Sequence, residues 1–368
     1  MATRTFAARE ALGEYEWDNQ RKDWRRPFVD RAVLKELSER NTLNGLVRIL
    51  YFMALLTAAA VATVLVARTS RWFAIPVLYG YYFLYGFWVA IAHELQHRTV
   101  FGRRAGWLNE LFFYPIQTLM WNSPTYARVS HKLHHRYTMV RGYDPETDWP
   151  EVITTGWLRR HLARLIANML VVGAIVDLAK DIRTQVVRAA GRQDWMIRDH
   201  CTPAERRAIR WESAGILAVH VAVAVGAIVF AVWELLAFIT IAWQIGSAFE
   251  RLWHDTKHIG RPRNVKDHRL NTRSVRVGWF IRSFFWGLDD HVDHHLYPAV
   301  PSRNLRKLHR ILEPHLPEPE RIFGCWAEMF EIAGEKDHDP TREYVSIAAV
   351  APGGDARPAP NPEQEDAE

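Results

Sequence analysis

The sequence predicts an all-α integral membrane protein, with about four membrane-crossing helices in two hairpins and a cytoplasmic helical cap that carries clustered histidines. Three observations predict it. Long uncharged apolar runs occur in closely spaced pairs. No run of alternating apolar and polar residues asks for a strand. Histidines collect at helical spacing near the ends of the apolar runs.

Residues 1–48 carry ten Lys and Arg and no apolar signal core, so they read as a cytoplasmic segment and not as a signal peptide. Ile49–Ala67, "ILYFMALLTAAAVATVLVA", and Trp72–Ala92, "WFAIPVLYGYYFLYGFWVAIA", follow. Each is near the ~20 residues that cross ~30 Å of hydrocarbon. Only a short polar link, "RTSR", separates them, which makes a hairpin. Ala214–Phe249 is too long for one span and is interrupted by Glu234. It reads as a second hairpin, with arms at 214–233 and 235–249. Leu108–Trp121 contains Pro115 and reads as interfacial or re-entrant, and His161–Leu178 as an amphipathic surface helix. Residues 49–315 form the membrane domain, 316–350 a C-terminal cytoplasmic segment, and 351–368, Pro-rich and acidic, a disordered tail. Lys and Arg placement sets both termini, and the segments 93–213 and 250–368, on the cytoplasmic side.

Composition narrows the class further. Two cysteines in 368 residues, Cys201 and Cys325, cannot build a disulfide framework or hold an iron–sulfur cluster, and read as reduced and structural. The net charge of +6 comes from Arg and Lys flanking the apolar runs. No nucleic-acid motif accompanies it, so no nucleic acid is expected as a partner. The aromatics Trp107, Trp121 and those between Trp72 and Trp88 read as interface anchors and packing residues rather than as the lining of an acyl channel.

Eight of the 17 histidines fall into three clusters. His93 and His97 stand four apart in "HELQH"; His131, His134 and His135 form "HKLHH"; His291, His294 and His295 form "HVDHH". On a helix each set shares one face, so its imidazoles can converge. At this histidine frequency about 0.04 copies of H-x-x-H-H are expected by chance, and two are present. All three clusters fall on one predicted side of the membrane, as a shared site requires. His254 and His258, in "WHDTKH", add a further pair just past the last apolar run, with His254 slightly preferred as a ligand. His161, His200, His220, His268, His309, His315 and His338 are scattered and read as structural or solvated.

Imidazole suits zinc, iron, copper and nickel. Eight or nine histidines exceed what one metal takes and suit two. Two redox metals can share the four-electron reduction of O2, with two electrons supplied externally and two taken from substrate. Beside a membrane, such a site suits a lipid-like chain with unactivated C–H bonds. Removal of one hydrogen is then followed by loss of a second, giving an alkene, or by oxygen insertion, giving an alcohol.

The three clusters, in this order and at these separations, resemble the histidine boxes of the membrane fatty acid desaturase family, which includes hydroxylases, carotenoid ketolases and a decarboxylase that forms terminal alkenes. The resemblance covers about residues 45–315 and extends to "HHRYT", to Asp144–Glu146 and to "HHLYPAVPSRNLRKLH" at 294–309. It implies two ferrous ions as cofactor, O2 as co-substrate, and a fatty acyl or other lipid substrate. His93, His97, His131, His134, His135, His291, His294 and His295 would be ligands. His254 or His258 maps loosely onto a further histidine of the family. The third box often begins with Gln, whereas His291 stands there in this chain. Asp144, Asp255, Asp290 and Asp293 are placed to orient the imidazoles from behind, or else are solvated acids. No dinucleotide fingerprint, ferredoxin cysteines or heme motif is present. The resemblance therefore implies a separate electron donor, a ferredoxin, a rubredoxin or a cytochrome b5, with its reductase.

A desaturase is the leading reading, with a fatty acid or alkyl hydroxylase, or an oxidative decarboxylase giving a terminal alkene, as the alternative on the same centre. "HELQH" also satisfies the H-E-x-x-H pattern of a zinc metalloprotease, with Glu94 as general base. An intramembrane protease would leave six clustered histidines unexplained. A metal transporter would place its ligands within the spans, and these lie at the ends.

Overall fold

The computed structural model describes Thr5–Ala8 and residues 24–345. The tail expected to be disordered, and residues 1–4 and 9–23 of the N-terminal segment, lie outside the described residues. The described chain is mainly helical, and it divides into two compact units. One comprises Arg40–Val129 and His161–Leu252; the other comprises the described parts of Met1–Glu39, Ser130–Arg160 and Trp253–Glu368.

The first unit holds the apolar helices. Asn41 caps the helix Thr42–Thr69 by accepting from Asn44 N at 2.9 Å. Apolar residues on every side fit this helix for lipid rather than for one packed face, and Leu43, Val47, Leu50, Leu65 and others stand exposed. Ser70 ends it and at once caps the next helix, accepting from Phe73 N at 3.4 Å. A single residue therefore makes the turn of the expected hairpin. The second arm runs Arg71–Gly86, turns slightly at Phe87 and continues as Trp88–Gln96. Pro203–Val229 is a further long apolar helix, started by a capping box between Thr202 and Glu205. Among the described residues these three stretches are long and apolar enough to cross a membrane.

The fourth crossing differs from the expectation. The stretch 235–249 is not one helix: a π turn at Leu236–Thr240 is followed by the helix Ala242–His254. That helix turns polar at Gln244, Glu250 and Arg251 and buries Ala242, Ile245, Gly246 and Ala248. By length and composition, a fourth candidate among the described residues is the bent pair Thr155–Met169 and Val172–Ala189, at 94°, taken as one span. At that elbow Val171 has φ +66°, a costly conformation for a β-branched residue. Asp177 braces it, accepting from Arg164 at 2.8 Å and Asn168 at 2.6 Å. Trp107–Leu119 forms the short helix that carries Pro115.

The second unit contains most of the histidines. Its core joins Ile153, Leu158, Ile259, Met329 and Ala333, with Trp149, Trp157, Trp326 and Phe330 around them. Beside the core, buried Glu328 takes ion pairs from Arg261 at 2.9 Å and Arg273 at 2.6 Å, so the buried charges are paired rather than stranded. Two short pairs of strands, which the sequence does not signal, also occur. Thr5–Ala8 pairs antiparallel with Arg342–Val345, and Val275–Arg276 parallel with Glu320–Arg321. Both cysteines are free and buried, as expected. Burial pushes each thiol up to about 11, which keeps them protonated and unreactive at neutral pH.

In the first unit, Gly86 and Gly246 bring two helices into backbone contact. A Cβ on Gly86 would stand 2.2 Å from the Gly246 carbonyl oxygen, where only backbone could yield. Gly86→Ala should therefore destabilise by about 1–3 kcal/mol, the range for overpacking. Thermal unfolding in detergent checks this; an unchanged midpoint would refute the contact.

Candidate metal centre

Local sequence sets each imidazole before any tertiary contact forms. The helix Pro124–Arg136 carries His131, His134 and His135, and the helix His291–Leu296 carries His291, His294 and His295. Spacings of three and four bring the members of each cluster onto one side of their helix. All six are buried.

Within the second unit these rings form two groups. The ligand atoms of His131, His135 and His294 lie within 4.8 Å of one another, and so do those of His134, His258, His291 and His295. In the first group, His135 Nε2 stands 2.9 Å from His131 Nε2 and 3.0 Å from His294 Nε2. In the second, His291 Nε2 stands 3.2 Å from His258 Nε2 and 3.1 Å from His295 Nε2. The groups adjoin through His135 and His295, whose rings stack at 4.4 Å.

The outward edges explain the inward ones. His131 Nδ1 lies 3.2 Å from Glu146, and His134 Nδ1 3.0 Å from Asp144. His258 Nδ1 lies 3.1 Å from the Asn271 carbonyl oxygen, and His295 Nδ1 3.2 Å from the Thr138 hydroxyl. A carboxylate or carbonyl only accepts, so Nδ1 of His131, His134 and His258 carries the proton and Nε2 presents a lone pair inward. Two neutral Nε2 atoms about 3 Å apart are held together by a proton donated from one ring or by a cation between their lone pairs, and rings whose lone pairs already face inward are set to bind the cation. Burial holds His258, His291 and His295 well below the ordinary histidine range, in the neutral form that ligates metals. Burial also lowers His131, with Glu146 opposing. At His134 burial is again the largest influence and lowers it, but Asp144 and Glu146 together outweigh it and the net shift is upward. The donor set therefore fits two cations that prefer nitrogen ligands, and suits iron and zinc alike by ligand type.

Asp144 serves two purposes. Besides facing His134, it accepts from Met139 N at 2.9 Å, Glu146 N at 3.0 Å and the Thr147 hydroxyl at 2.7 Å. It thus builds the turn that supports the second cluster. Asp293, within the third cluster, meets His309 Nδ1 at 3.0 Å, and Asp290, just before it, takes Arg282 at 2.7 Å. Asp255 is buried at the start of the short turn Asp255–Lys257. That turn decides between the paired histidines. The helix ends at His254, which stays half-buried, and the chain then turns to carry His258 into the four-membered group. The sequence preference for His254 does not match this placement.

Sequence reasoning gave no role to Glu146, Thr138 or Asn271. Of these Glu146 and Thr138 carried a signal, Glu146 two residues after Asp144 in a Pro-containing turn and Thr138 at the end of "HHRYT". Among the scattered histidines, His309 is a buried support of Asp293, and His268 is buried with its ring stacked on Trp24 at 4.3 Å. His220, in the other unit, stacks on Trp121 at 3.7 Å.

The first cluster belongs to that other unit. His93 is buried in the last turn of Trp88–Gln96, His97 caps it, and their ring centroids are 5.1 Å apart. Between them Glu94 is buried and accepts the Thr99 hydroxyl at 3.1 Å, a packing role that needs no general base.

Two substitutions separate these roles. Asp144→Asn removes the charge facing His134 and keeps one of the two oxygens that accept from the turn; it should weaken metal binding about 10–100-fold, measured by chelator competition. Full affinity would show that Asp144 acts only in the turn. Glu94→Gln keeps an acceptor for Thr99 and should retain metal content and activity, whereas loss of activity alone would restore the general-base reading.

The sequence profile of the family described as fatty acid desaturase matches residues 70–325, well over half of the chain. No curated protein matches it. The matched range takes in all three histidine clusters and the long apolar helices from Arg71 onward. The chain belongs to the fatty acid desaturase family, a family of membrane oxidoreductases.

Proposed function

We propose that the protein is an O2-dependent fatty acyl desaturase that works at a two-iron centre. The observation that carries this reading is the pair of buried imidazole groups with Nε2 turned inward and carboxylate or carbonyl acceptors behind. His134, His258, His291 and His295 would hold one iron, and His131, His135 and His294 the other. His93 and His97 belong to the ligand set by the sequence pattern and the family resemblance. Iron bound there would supply the one-electron steps that reduce O2 and take hydrogen from an unactivated C–H bond.

The chain's own residues do the rest. Glu146, Asp144 and the Asn271 carbonyl fix three ring tautomers, and Thr138 orients a fourth ring. Burial of all six rings of the second and third clusters keeps water away from the centre. A zinc peptidase needs three protein ligands and one activated water, which leaves most of these imidazoles without purpose. In our reading the centre and both termini face the cytoplasm, and a ferredoxin, rubredoxin or cytochrome b5 supplies electrons.

The deciding experiment uses iron-loaded protein in lipid nanodiscs with O2, NADPH, a ferredoxin and its reductase, and mixed fatty acids and acyl thioesters. Mass spectrometry should find an internally unsaturated product that depends on O2, and metal analysis about two irons per chain. His134→Ala should lose iron and product together. An alcohol or terminal alkene would move the reading to a hydroxylase or decarboxylase, and an iron-replete protein with no O2-dependent product would overturn it.

A further inference from the structure

Three buried rings of the second unit form a chain of contacts: Trp24, His268 and His295. Trp24 stacks on His268, with ring centroids 4.3 Å apart and planes 16° from parallel. The His268 ring lies 5.1 Å from that of His295, a member of the four-membered group. His268 itself belongs to neither group of ligand atoms.

Backbone contacts hold the Trp24 end of this chain. Arg25 N donates to the Lys266 carbonyl at 2.9 Å, and Arg25 pairs with Asp267 as an isolated parallel bridge. Asp267 then starts the short helix His268–Asn271 that carries the middle ring. Arg25, beside Trp24, is exposed. The rings therefore lead from the candidate centre to a point just beneath the surface.

Packing alone does not call for Trp at this position, because Phe or Leu would also cover His268. Indole differs from them in giving up an electron readily, as phenol does and imidazole does not. Stacking puts the faces of Trp24 and His268 in contact. His268 can then pass an electron as a bridge without being oxidised itself.

We infer that Trp24, acting through His268, is a relay that drains oxidising equivalents from the centre when O2 is consumed with no acyl chain in place. The inference rests on the two-iron, O2-reducing part of the proposed function. Reduction of O2 to two waters takes four electrons and four protons. In desaturation an external donor gives two of the electrons, and the acyl chain gives the other two with two protons. Without a chain, Trp24 supplies the missing two electrons one at a time. Each electron leaves with the indole Nε1 proton, and a neutral indole radical remains. One electron from the external donor and one proton from solvent restore the indole before the next is drawn. Over the cycle the donor gives all four electrons, solvent gives four protons, and Trp24 is unchanged.

Without the relay, the same equivalents would fall on side chains close to the centre. Met139 is one, buried and with its amide on Asp144 behind His134. Its thioether oxidises readily to the sulfoxide.

The test uses full-length iron-loaded protein in nanodiscs, reduced with dithionite, freed of the excess and mixed with O2 without fatty acid. Samples frozen at once are read by electron paramagnetic resonance. The wild type should show an indole radical. Trp24→Phe should lose it, Trp24→Tyr should replace it with a tyrosyl signal, and His268→Leu should lose it with Trp24 still present. Iron content and thermal midpoint should match the wild type in all three. After repeated turnover without substrate, peptide mass spectrometry should find severalfold more Met139 sulfoxide in Trp24→Phe. Trp24→Tyr should return it to the wild-type level.

No radical in the wild type would overturn the inference. So would a signal that persists in Trp24→Phe, which places it on another residue, or one undiminished in His268→Leu. Should Trp24→Phe lose iron, the signal of Trp24→Tyr decides. A wild type that forms the radical but makes no unsaturated product keeps the relay and loses the desaturase reading. One that desaturates without the radical does the reverse.

Discussion

The constraint on which the second unit depends is the fixing of imidazole tautomers by acceptors placed behind the rings. Left alone, neutral histidines rotate to donate to one another or to water. Here acceptors behind His131, His134 and His258 tie down the outer N–H, so these rings keep the Nε2 lone pair turned inward. Much of the surrounding architecture keeps those acceptors in place. Asp144 is locked by Met139, Glu146 and Thr147, and Asn271 is held by the Thr138 and Val265 carbonyls at 3.1 and 3.2 Å. Asp293 has His309.

Asn271 shows how economical this support is. Its side-chain amide donates to the end of the segment that carries the second cluster, and its backbone carbonyl faces His258. One residue on the four-residue helix His268–Asn271 thus sets the relation between Thr138, at the end of that segment, and His258. Asp267 starts that short helix by accepting from Arg269 N at 2.9 Å.

What the sequence made legible was local. The three clusters stood out because helical spacing is visible within five residues, and the first hairpin because hydropathy and a short polar link are visible within a few tens. What remained hidden depends on loops. His258 joins the group in place of His254 because a three-residue turn redirects the chain, and nothing in "WHDTKH" marks that turn. Thr138 and Asn271 act through a hydroxyl and a backbone carbonyl, groups that many residues offer. The arm 235–249 read as a span because its average composition is apolar. The average conceals the π turn at Leu236–Thr240 and the close backbone contact of Gly246 with Gly86.

The contact between His135 and His294 joins residues 159 positions apart. Chain synthesis therefore delivers one half of each histidine group long before the other. During that interval the second cluster has its own carboxylates but lacks its third-cluster partners, and a metal meeting it would find an incomplete, open shell. Assembly of the centre must wait for a long loop closure, with its entropic cost and its slow rate. Loading is then a late event of biogenesis, and the cell's choice of metal is made by what is present once the chain has closed.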